Sequence, residues 1–87
     1  MSAYDNDLRV DRINEHHFVV TAPDDNYDVS AWMSEQHWLI DPARNSHARR
    51  EANIRNREEA EAFTARTVRG PFRSADEAIH SLIGDPQ

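Results

Sequence analysis

Five histidines, at positions 16, 17, 37, 47 and 80, are the residues here most able to bind a metal or move a proton. A metal centre needs ligands that converge, and its usual sequence forms are H-E-x-x-H or paired Cys and His. Neither form occurs, and the chain has no cysteine at all. On an extended strand His16 and His17 point to opposite faces, so they cannot share one ion. Ser, His and Asp are all present, but no G-x-S-x-G sets a serine on a strained elbow. His37 and Asp41 are close in sequence with no nucleophile beside them. Asp24 and Asp25 fall in the turn sequence PDDN, where water keeps both ionised rather than splitting their proton affinities. No catalytic residue, metal ligand or cofactor site is expected, and the chain is read as a non-enzyme.

Binding chemistry is better represented. All ten basic residues are arginine, and eight of them lie between positions 42 and 73, against four acids. Within that segment residues 46–63 balance four Arg with four Glu, so the surplus sits at Arg44, Arg66, Arg69 and Arg73. Those four could contact phosphates while Trp32 or Trp38 stacks on bases, which makes nucleic acid the alternative partner. The net charge of -6 argues against it, because a nucleic-acid module carries a basic footprint. Protein binding is the preferred reading. "AWMSEQHW" puts two Trp and a Met close together, residue types enriched at interface cores. Asp24, Asp25 and Asp28 offer an acidic surface beside them. A protein partner is therefore expected, with a homodimer as one form of it. By analogy the chain would suit a phage-encoded inhibitor of a host system or a small bacterial accessory factor.

The elements that must carry these residues are few. With 87 residues, 38% hydrophobic and 30% charged, the chain is read as one small domain (1–87) with a thin core. It shows no secretory signal and no apolar run of membrane-spanning length, so a cytoplasmic location without membrane contact is expected. "LRVDRI", "HFVVTA" and "YDVSAWM" alternate with period two and are separated by turn residues. In the last of these, Tyr27, Val29, Ala31 and Met33 share one side and Trp32 lies on the other. "SEQHWLI" is ambiguous, leaning to a fourth strand with Trp38 and Ile40 inward.

After Pro42 the propensities turn helical, with Asn45 or Ser46 as N-cap and charges spaced for i,i+4 pairing at Glu51–Arg55, Arg55–Glu59 and Arg57–Glu61. A short strand is expected around Thr67 and Val68. The clearest element follows. Ser74 and Glu77 form a capping box, Ala75, Ala78, Ile79, Leu82 and Ile83 make one apolar face, and Gly84 with Pro86 ends the helix after about nine residues. The stretch "TVRGPFRSADEAIHSL" resembles the strand, GPF turn and helix of one half of a SPOR domain, the bacterial peptidoglycan-binding module. A SPOR domain has two such repeats and no first repeat is legible, so the likeness is read as convergent strand-to-helix chemistry and nothing is carried over from it. The expected fold is α+β: a small antiparallel sheet of three to four strands, a polar central helix and a capped amphipathic C-terminal helix.

Overall fold

The computed structural model describes residues 2–87. Five strands, β1 (Val10–Asn14), β2 (His17–Thr21), β3 (Asn26–Ala31), β4 (Trp38–Pro42) and β5 (Arg69–Phe72), form one antiparallel sheet in the order β1-β2-β3-β4-β5. Helices α1 (His47–Ala52) and α2 (Arg57–Thr67) connect β4 to β5, and α3 (Ala75–Ile83) follows. The α+β class and the antiparallel sheet are as expected, with five strands in place of three or four.

Register explains the core. Phe18, Val29 and Ile40 stand opposite one another across β2, β3 and β4, as do Val20, Tyr27 and Pro42. Side chains alternate along a strand, so these rows share one face. α3 covers that face with buried Ala78 and Ile79, flanked by Ala75, Leu82 and Ile83. Its first turn is closed as the sequence indicates, with the Ser74 hydroxyl accepting from the Glu77 N–H at 3.1 Å. The Glu77 carboxylate reaches one residue further back than a standard capping box, to the Arg73 N–H at 2.7 Å. On the opposite face Asp41 of β4 pairs with Arg49 at 2.6 Å, and the Arg49 guanidinium lies 4.9 Å over the ring of buried Phe63 from α2. A single cation thus ties α1, α2 and the sheet together.

Three expectations are corrected. The central helix is two helices, because Asn53 adopts a left-handed φ of 51°, a conformation Asn tolerates better than most residues. The break separates Glu51 from Arg55. Glu51 pairs instead with His47, while Arg55–Glu59 and Arg57–Glu61 form as spaced. The last strand is Arg69–Phe72 because α2 runs through Thr67. Leu8, which alternation in LRVDRI puts on the same side as Val10, is fully exposed ahead of β1, while Val10 packs against the core.

The chain ends are clamped together. Arg9 donates to the buried Asp7 carboxylate through Nε and Nη2 at 3.0 and 2.7 Å, and to the carbonyl of Ile83. The Gln87 N–H also donates to Asp7 at 3.1 Å. These hydrogen bonds, led by those from Arg9, hold the Asp7 carboxyl well below the usual carboxylate range.

Candidate functional site

The two tryptophans have different fates. Trp38 is 5% exposed, its ring centroid 5.9 Å from that of Phe18, and its indole N–H donates to the Glu35 carbonyl at 2.6 Å. Trp38 is therefore packed in the core. It is the last inward residue where β4 begins, and Ala31 and Phe72 flank it in register. Trp32 lies one residue past the end of β3 and is 60% exposed.

Met33, which alternation placed on the inner side with Tyr27 and Val29, is 96% exposed. The reason is a tight turn at the strand end: the Ser34 N–H donates to the Trp32 carbonyl at 2.8 Å across Met33, whose φ is 70°. A three-residue turn with a central φ near 75° is the rare, strained form. Left-handed backbone costs a residue with a Cβ roughly 1 kcal/mol. Its result here is to turn Met33 outward next to the exposed Trp32.

A second hairpin tip lies next to them. Ile13 is the extra residue of a bulge where β1 meets β2, and it is 57% exposed. The Ala31 N–H donates to the His16 carbonyl, and the His16 ring sits 3.8 Å from the Glu35 carboxylate. Ile13, Trp32 and Met33 therefore occupy the same end of the sheet. They are three of the four large apolar side chains left exposed among the described residues. Alternation in the sequence could not reveal this, since it follows from a bulge and a turn rather than from strand periodicity.

Beside this apolar end opens a groove of about 510 Å³, between the two hairpin tips and the first turn of α3. Phe18 and Trp38, each only 5% exposed, form its floor, and Asp5, Glu15, Glu35 and Asp76 line it together with one cation, Arg12. Asp76 is fixed there by the Ser2 hydroxyl and the Ala3 N–H.

The acidic trio read from sequence does not form one surface. Asp24 accepts from the Tyr27 hydroxyl at 2.6 Å. Burial alone would raise the Asp25 pKa, but N–H groups of Ala48, His47 and Asn26 donate to its carboxylate and bring it below the ordinary value. Asp25 is thus a brace holding the start of α1 onto the β2–β3 turn. Asp28 lies on the opposite side of the sheet from Tyr27, directly across from Asp41, with His17 Nε2 at 2.9 Å. His17 and Arg49 each face one member of that carboxylate pair.

The four surplus arginines are spread as well. Arg66 lies 5.1 Å over Phe63 and Arg69 lies 5.1 Å over Tyr27, two separate rings. Arg69 opens β5 and Arg73 follows its last residue. Arg44 is exposed just after β4. Among the described residues no group of three or more His, Asp or Glu is placed to hold a metal ion, and no helix is long and apolar enough to cross a membrane. Comparison with protein-family models, curated proteins and solved structures gives no match.

Proposed function

We propose that this chain is a small, non-enzymatic binding protein that acts on another protein through the end of the sheet formed by Ile13, Trp32 and Met33. One observation carries this: Trp32 and Met33 stand exposed at a strained turn, outside the buried core cluster. Backbone strain persists where the surrounding structure enforces it, and it clusters at sites of interaction. Trp and Met are also the residues that anchor interface centres. The test is quantitative capture from the cells that make the protein, comparing wild type with Trp32→Ser/Met33→Ser. Both must first show the same circular dichroism. A protein retained by wild type and lost by the double variant supports the proposal, and equal retention by both defeats it.

A further inference from the structure

We infer that the partner at this end of the sheet is a basic protein segment, one of whose arginine side chains enters the groove beside Trp32 and Met33. This rests on the docking surface just proposed and adds the chemistry of what docks there. The groove and the apolar end adjoin through the β3–β4 loop, which carries Trp32 and Met33 and gives the groove Glu35. Four carboxylates come from four separate places, the N-terminal turn (Asp5), the β1–β2 tip (Glu15), the β3–β4 loop (Glu35) and α3 (Asp76). The fold brings them around an aromatic floor with Arg12 as the lining cation. About 510 Å³ lies within the usual range of ligand pockets, roughly 300–1,000 Å³.

A guanidinium fits this lining better than an ammonium. It bonds carboxylates in a planar fork and lies against aromatic surface, whereas an ammonium is a compact, strongly hydrated point charge. Anionic partners are disfavoured, since phosphate groups would meet four carboxylates. The apolar end then supplies contact area and the groove supplies selection, because like charges facing across an interface exclude the wrong partner.

The test uses the full chain and a fluorescein-labelled nona-arginine peptide, with nona-lysine as comparison, read by fluorescence anisotropy at low and physiological salt. Glu15→Gln/Glu35→Gln removes two exposed groove carboxylates. Glu58→Gln/Glu61→Gln makes the same charge change on the exposed face of α2. An exposed ion pair is worth about threefold in affinity, so the groove variant is expected to bind nona-arginine about tenfold more weakly, with the α2 variant within about twofold of wild type. Nona-arginine is expected to bind more tightly than nona-lysine. Equal weakening in both variants would show attraction to net charge alone and overturn the inference. Partner capture that depends on Trp32 but is indifferent to Glu15 and Glu35 would overturn it too, while leaving the docking surface standing. Sedimentation of the wild-type chain as a dimer, lost in the groove variant, would assign the groove to an arginine of a second copy and overturn the foreign partner.

Discussion

Replacing each tryptophan in turn by alanine separates core from surface. A tryptophan side chain offers roughly 200 Å² to burial, worth about 25 cal/mol per Å². Trp38, 5% exposed, therefore gives up about 190 Å² on truncation, or about 5 kcal/mol. That agrees with the 3–5 kcal/mol typical of truncating a large aromatic side chain in a core. Trp38→Ala also removes the indole donor to Glu35 and the packing against Phe18. For Trp32, 60% exposed, the same accounting gives about 80 Å² and a ceiling of about 2 kcal/mol.

A chain of this length has a total stability of about 4–13 kcal/mol, so Trp38→Ala removes from about two fifths to all of it and Trp32→Ala at most about half. The assay is urea unfolding followed by far-ultraviolet circular dichroism, which does not depend on the fluorophore being deleted. With a slope of about 1 kcal/mol per molar urea, the two midpoints should differ by about 3 M. If Trp38→Ala does not fold, Trp38→Phe keeps the comparison measurable, since it retains an aromatic ring in the core. A midpoint for Trp32→Ala as low as that of Trp38→Ala would refute the assignment of Trp32 to the surface.

Other perturbations follow from the polar braces. Ionised Asp7 contributes stability that is fully present above the ordinary carboxylate pKa near 3.9 and is lost as pH falls through its depressed folded value. Asp7→Asn should thus lower the melting temperature at pH 7 and flatten its decline below about pH 4, and parallel melting curves against pH would contradict this. Asp25→Ala should cost about 1–3 kcal/mol by leaving its N–H donors unsatisfied, and amide exchange should quicken at residues 47 and 48. Ser74→Ala should cost about 1 kcal/mol in urea unfolding through loss of the N-cap of α3, and no change would contradict the cap's role.

What the sequence disclosed followed the range over which each signal acts. α3 was legible to the residue because cap, apolar stripe and terminating glycine all lie within one short segment. β2, β3 and β4 were legible because alternation of Phe18, Val20, Tyr27, Val29, Trp38 and Ile40 survives into the structure unbroken. Where a single residue changes the backbone, periodicity gives no warning. Asn53 divides the central helix, the bulge leaves Ile13 out of the β1–β2 pairing, and the turn at Met33 reverses the side that alternation assigned to it. The candidate surface depends on two of those three irregularities, which is why it was only half visible: Trp32 was recognised, but Ile13 and the outward Met33 were not. The groove carboxylates were hidden for a different reason. Asp5, Glu15, Glu35 and Asp76 are far apart in the chain and become neighbours only through sheet order and the docking of α3. Asp24, Asp25 and Asp28 were conspicuous by proximity in sequence, yet one caps a helix, one meets a tyrosine and one crosses to the other face.

The central claim is that the end of the sheet carrying Ile13, Trp32 and Met33 is where a partner protein docks. The most direct measurement is the map of backbone amide shifts on adding the captured partner to isotopically labelled protein. Perturbation concentrated at residues 13–16 and 32–37, spreading to the groove at residues 74–76, is the expected result. Perturbation concentrated at residues 44–69, with the Trp32 loop unmoved, would contradict the account and place the working surface on the arginine-bearing side.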